Sequence, residues 1–227
     1  MRGGIGGAVL RAEEDDEWSP ELLASHALLL DVAADEAASA ELRRQALVAA
    51  AHSVRSSVTG LIGSFLATED RLLRAGGLRA AGNAMDKSFA RELLEALDDP
   101  DPLLRHEAAM ASGDMGLGHA VAPLANLAEF DPDLEVRLAA IAALGNIGSR
   151  PAVRALERMQ TRLDPDDEDL GDAVEDALAM AELMGDLTAL EAEGLSLDPG
   201  GDDEEGLDLD DLMGPDDDED SDADGLR

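Results

Sequence analysis

His106 and Glu107 are the residues of this chain that most readily suggest chemistry. An imidazole beside a carboxylate is a good pair of ligands for a divalent metal, and a bound metal is a short route to catalysis. A metal centre needs several such groups. The other histidines, His26, His52 and His119, have no glutamate next to them. The chain has no Cys, which excludes a thiolate zinc site, a cysteine nucleophile and a disulfide framework. No Gly-rich phosphate loop and no Ser-His-Asp arrangement stands out. The expectation is a protein without catalytic residues, metal or cofactor, in which His106-Glu107 decorates a structural element.

That element belongs to a repeat. "AELRRQALVAAAHSV" from Ala40, "DRLLRAGGLRAAGNA" from Asp70, "DPLLRHEAAMASGDM" from Asp101 and "DLEVRLAAIAALGNI" from Asp133 align with an Arg at the fifth position: Arg44, Arg74, Arg105 and Arg137. The steps are 30, 31 and 32 residues, and a degenerate fifth copy, "EDLGDAVEDALAMAEL", puts Gly171 in the Arg place after a step of 34. A fixed period in this range signals a solenoid. Each copy reads as helix, tight turn, helix. Asp, sometimes followed by Pro, opens the first helix by capping free N–H groups. Apolar residues recur at helical spacing, as at Val136, Ala139, Ala140, Ala143 and Leu144. Gly113, Gly116, Gly145 and Gly148 are expected to let the chain leave the helix and turn. Second helices follow, with Phe89, Leu93, Leu94 and Leu97, then Val121, Leu124 and Leu127, then Val153, Leu156 and Met159. No single hairpin of this kind buries its own apolar face, so stability must come from stacking. "SPELLASHALLLDVAAD", with Ser19 as cap and Pro20 in the first turn, reads as a lone second helix closing the N-terminal end.

The stretch 131–159, "DPDLEVRLAAIAALGNIGSRPAVRALERM", resembles the HEAT-like repeat of the phycobilin-lyase type: an Asp-rich turn, Val-Arg, an Ala-rich helix, Leu-Gly-x-Ile-Gly, then Ala-Val-x-x-Leu. Copy three follows the pattern well. Copies one and two lack the Gly pair, and His52 stands where Gly145 does. The likeness covers about residues 19–190. Ankyrin repeats would need Thr-Pro-Leu-His and tetratricopeptide repeats a Trp/Tyr pattern, and neither is present. The resemblance implies an all-α, right-handed α-solenoid of about five HEAT-like hairpins with an N-terminal cap helix. Some members of the family are hydroxylases that build a di-iron site from several His-Glu pairs at this place in the repeat. Here the matching positions hold Gln45-Ala46, Ala75-Gly76, His106-Glu107, Leu138-Ala139 and Asp172-Ala173, one pair of five. The phycobilin lyases bind their pigment with family-specific side chains that the repeat pattern does not carry.

Composition narrows the setting. Asp and Glu total 52 against 17 Lys and Arg, for a net charge of −35. Asp exceeds Glu by 31 to 21, and Lys87 is the single lysine. This composition resembles that of salt-in halophilic archaea, where acidity serves solubility. At molar salt the Debye length is roughly 3 Å, so such a charge steers no partner from afar. Nucleic acid, which calls for clustered cations and stacking aromatics, is not expected: the chain has no Tyr, three Phe and one Trp. No apolar run approaches the ~20 residues that span a bilayer, and the start, "MRGGIGGAVLRAEEDDEW", does not read as a secretion signal. A cytoplasmic monomer is the expectation.

The expected organisation is a disordered arm over 1–18, the solenoid over 19–194 and a disordered acidic tail over 195–227, with fifteen acids and one base from Asp198 onward. Two stretches look suited to a partner. Arg150, Arg154, Arg158 and Arg162 recur every four residues through one helix and make a slanting basic stripe. In the tail, Leu207, Leu209, Leu212 and Met213 are apolar points among acids, a pattern that a partner's groove orders on binding. The four ladder arginines are expected to hold turn aspartates of their own or the next copy. The function expected is a non-enzymatic scaffold or adaptor for another protein. HEAT-like proteins of this type occur in archaeal taxis systems, which suggests signalling. The rival is a lyase-like or metal-dependent hydroxylase-like enzyme, or its maturation subunit.

Overall fold

The computed structural model describes residues 19–52, 56–164 and 166–192, with side chains of 56–57 and 185–192 left aside. The arm over 1–18 and the tail over 195–227, with Leu207, Leu209, Leu212 and Met213, lie outside the described residues. The described residues are helical, without a strand. The helices are α1 (Pro20–Ala34), α2 (Ala40–Ala50), α3 (Ser56–Leu66), α4 (Arg71–Asn83), α5 (Ala90–Ala96), α6 (Pro102–Asp114), α7 (Val121–Phe130), α8 (Leu134–Ile147), α9 (Arg150–Gln160) and α10 (Glu168–Ala192). Short 3₁₀ turns, Lys87–Phe89 and Gly118–Ala120, lead into α5 and α7.

Short polar side chains start the helices where the sequence places them. Ser19 Oγ accepts from Leu22 N–H at 3.3 Å, and Asp70 Oδ1 accepts from Leu72 and Leu73 N–H at 2.8 and 3.1 Å. Asp101 and Asp133 do the same for α6 and α8. Each such bond satisfies donors that have no partner inside the helix.

Among the described residues four copies follow one another as first and second helix: α2 and α3, α4 and α5, α6 and α7, α8 and α9. Their first helices stack in one row, α2 on α4 on α6 on α8 on α10. The second helices pack chiefly on the first helix of the following copy, α3 on α4, α5 on α6 and α7 on α8, while α9 lies equally on α8 and α10. The cap α1 meets α2 in the same way, as a second helix without a first. Since α3, α5 and α7 find their main contacts in the next copy, the core is shared between copies. The fully buried side chains, among them Leu47, Phe65, Leu93, Leu104, Leu124, Ile141, Leu156 and Leu170, therefore form one continuous column.

The glycines divide into two kinds, which corrects the expectation that all four release the chain. Gly116 and Gly148 do so, at left-handed φ of 62° and 57°. Gly113 and Gly145 lie inside α6 and α8, and Gly82 holds the same place in α4. A Cβ there would fall 2.8 Å from Ala111 Cα (Gly82), 2.6 Å from Ala143 Cα (Gly113) and 2.8 Å from the Ala177 carbonyl oxygen (Gly145). The first helices touch backbone to backbone through these Gly–Ala pairs. The fifth copy also departs from a hairpin. Its matching positions hold Ala179 and Glu182 instead of glycine, and α10 runs on without a turn to Ala192.

In copy two the left-handed position is filled by Met85, φ 52°, with its side chain 55% exposed. Left-handed backbone costs a residue with a Cβ roughly 1–2 kcal/mol, and more than half of this residue is already in solvent. Met85→Gly is therefore expected to raise stability by about 1 kcal/mol. Urea unfolding of the two proteins checks this, and a lower midpoint for the variant would show the turn is not strained.

Candidate partner-binding surface

The ladder arginines sit between successive copies. Arg105, on α6, is the most committed. Its Nε and Nη2 donate to the two carboxylate oxygens of Asp131 at 2.7 and 2.9 Å, and Nη1 donates to the carbonyls of Asp99 and Pro100 at 2.8 and 3.1 Å. The Asp131 side chain is only 2% exposed. Burial pushes its carboxyl up, but the hydrogen bonds from Arg105 and from Asp133 N–H, with the charges of Arg105 and Arg137, outweigh burial and hold it below the usual carboxylate range. Arg74 pairs with Asp99 at 3.1 Å. The expectation of turn aspartates holds for these two and fails for the others. Arg137 donates to the Ala128 carbonyl at 3.0 Å, because Leu163 stands 26 residues on, where Arg105 finds Asp131. Arg44 pairs with Glu41 of its own helix at 2.9 Å.

His106 and Glu107 are half-buried on α6. Among the described residues no three His, Asp or Glu side chains group so as to hold a metal ion. Arg44, raised above its ordinary value first by its hydrogen bond to Glu41, also feels the Glu107 charge. His52 is half-buried beside Asn83, its Nε2 3.3 Å from Asn83 Nδ2, and burial with the nearby Arg79 pushes its imidazole below the ordinary range.

The arginine stripe lies where the four-residue spacing puts it. α9 buries Ala152, Ala155, Leu156 and Met159, and exposes Arg150, Arg154 and Arg158 on the opposite side. Arg162, just past the helix, is also exposed and pairs with Glu129 at 3.2 Å. Among the described residues, every arginine outside α9 has a carboxylate, carbonyl or aromatic ring as partner. Arg150, Arg154 and Arg158 have none among those residues, in a chain of net charge −35.

At its Arg162 end the stripe runs into a groove of about 230 Å³ between α7 and α9, lined by Phe130, Met159 and Leu163 with Glu129, Arg137 and Arg162. Phe130 is 72% exposed, the most of any described large apolar side chain. Its other flank lines a groove of about 480 Å³ between α5 and α7, floored by Arg105 and Asp131. The spacing of Arg150 to Arg162 was readable in the sequence. Phe130 was missed, since an isolated aromatic at a helix end carries no periodic signal. No described helix is long and apolar enough to cross a membrane.

Residues 90–179, from α5 into α10, match the family described as HEAT repeats, so that stretch carries HEAT-like repeats. Among solved structures the chain is similar to an engineered protein, at 19% identity and a TM-score of 0.51 over 80% of this chain and 87% of that one. It is also similar to human deoxyhypusine hydroxylase in complex with glycerol, at 21% identity and a TM-score of 0.46 over 69% and 73% of the two chains. The first likeness shows the fold alone. No curated protein matches the chain.

Proposed function

We propose that this HEAT-like repeat protein is a non-enzymatic scaffold of the cytoplasm that holds another protein against α9 and the Phe130 groove. The observation that carries the reading is the set of three arginines without partners among the described residues, next to an exposed aromatic. A guanidinium grips a carboxylate in a two-point fork, and a short-range grip of that kind persists where salt screens a diffuse field. The partner the surface fits presents carboxylates beside an apolar anchor for the groove. The acidic, Arg-over-Lys composition supports work at high salt, and the repeat resemblance supports a signalling role by analogy.

The test is capture of partners by tagged full-length protein in molar KCl, with and without the substitutions Arg150→Gln, Arg154→Gln and Arg158→Gln. The expected result is a protein retained by the parent and at least about tenfold weaker on the variant, since each charge-assisted bond is worth about 1.5–3 kcal/mol. The melting temperature is expected to hold, because exposed substitutions of this kind stay within about 0.5 kcal/mol. Equal retention by both proteins sinks the proposal.

A further inference from the structure

The same surface has a ligand of matching chemistry within the chain. We infer that the tail segment 202–213 docks along α9, its acids on Arg150, Arg154 and Arg158 and its apolar residues in the Phe130 groove. The inference rests on the proposed partner site only in naming what the tail displaces.

Three observations support it. The first is composition. Between Asp202 and Asp211 the segment has seven acids and no base, and it carries Leu207, Leu209, Leu212 and Met213. The surface offers unpartnered guanidinium groups leading to Phe130, Met159 and Leu163. Charge and apolar parts are adjacent on both. The second is exclusion. Before Asp198 the chain holds 37 acids against 16 bases, so a tail acid set down elsewhere meets chiefly other acids at contact range, where salt does not screen. Arg150, Arg154 and Arg158 stand without a partner among the described residues, whereas Arg162 is held by Glu129.

The third is reach. α10 passes the end of α8 near Met184, since a Cβ on Gly148 would fall 2.9 Å from Met184 Cβ. Arg150 lies two residues after Gly148. The helix continues about 12 Å further, to Ala192. Residues 193–201 span up to about 30 Å when extended. That is enough to return to Arg150, from where the stripe runs about 18 Å to Arg162. Docking there is intramolecular, so even weak pairwise contacts are favoured by a high effective concentration. A tail so placed competes with any acidic partner for the same arginines.

The absence of native cysteine allows one spin label to be placed cleanly in the full-length chain, through Gly214→Cys. Amide signals of the labelled protein are then recorded in molar KCl. Broadening is expected to concentrate on α9 and around Phe130. It is expected to vanish when Arg150, Arg154 and Arg158 become Gln, and when Leu212 and Met213 become Ser. Broadening that is absent or spread evenly over the solenoid overturns the inference. So does broadening that survives the Leu212→Ser and Met213→Ser variant, which would reduce the contact to charge attraction. Partner capture that depends on the arginines, with no tail docking, defeats this inference and leaves the scaffold standing. Docking without any captured partner does the reverse.

Discussion

Asp131→Ala is expected to lower the stability of the fold by about 3–5 kcal/mol, the loss typical when one member of a buried ion pair is removed. Arg105 would keep its two bonds to the carbonyls of Asp99 and Pro100, but the guanidinium would lose the two-point carboxylate that faces it at the floor of the groove. For a protein of this size each kcal/mol moves the melting temperature by about 2–4 °C, so the shift is readily measured by circular dichroism. Arg91→Gln is the contrast: its bonds to Glu92 and Glu95 are on the surface, its own side chain 74% exposed, and the change is expected within about 1 kcal/mol. The pH dependence has a definite sign. The folded carboxyl of Asp131 lies below its ordinary value of 3.8. Its stabilising contribution is thus complete above that value and is lost as pH falls through the lower, folded one. The gap between parent and Asp131→Ala is expected to be constant near neutrality and to narrow below about pH 4. A gap independent of pH into strong acid would assign the loss to packing.

Gly113→Ala is expected to destabilise, although helix propensity alone gives it a gain of about 0.8–1 kcal/mol. The added Cβ would fall 2.6 Å from Ala143 Cα and 2.8 Å from Ala143 Cβ, and that neighbour is backbone, which cannot swing aside. Relief requires α6 and α8 to separate, at about 1–3 kcal/mol or more for such overpacking. The same substitution at Gly171 is expected to stabilise by about 0.5–1 kcal/mol, because there the Cβ meets nothing within 4 Å. Both sites are helical, so opposite signs in urea unfolding isolate the contact between copies. A gain at Gly113 would contradict backbone contact between α6 and α8.

The period and the caps were legible because they are local: Asp70, Asp101 and Asp133 cap from within their own turn. Gly113 and Gly116 were read alike because glycine looks the same whether it frees a φ angle or admits a neighbour. Only the position of Ala143, thirty residues on, distinguishes them. The ladder was legible as arginines, but each partner depends on what stands 25 or 26 residues later: Asp99 for Arg74, Asp131 for Arg105, Leu163 for Arg137. The stripe was legible as a spacing. That Glu129 reaches Arg162 and leaves Arg150, Arg154 and Arg158 unpaired is a matter of distance across two copies, which no pattern along the chain encodes.

The Gly–Ala contacts have a mechanical consequence. First helices locked backbone to backbone form a stiff edge, since close-packed interiors barely compress. The second helices are parted by grooves of about 480 Å³ between α5 and α7 and about 300 Å³ between α3 and α5, and that side has room to yield. A molecule so built is expected to flex as a book does, about its stiffer spine, with the gaps between its pages taking up the movement.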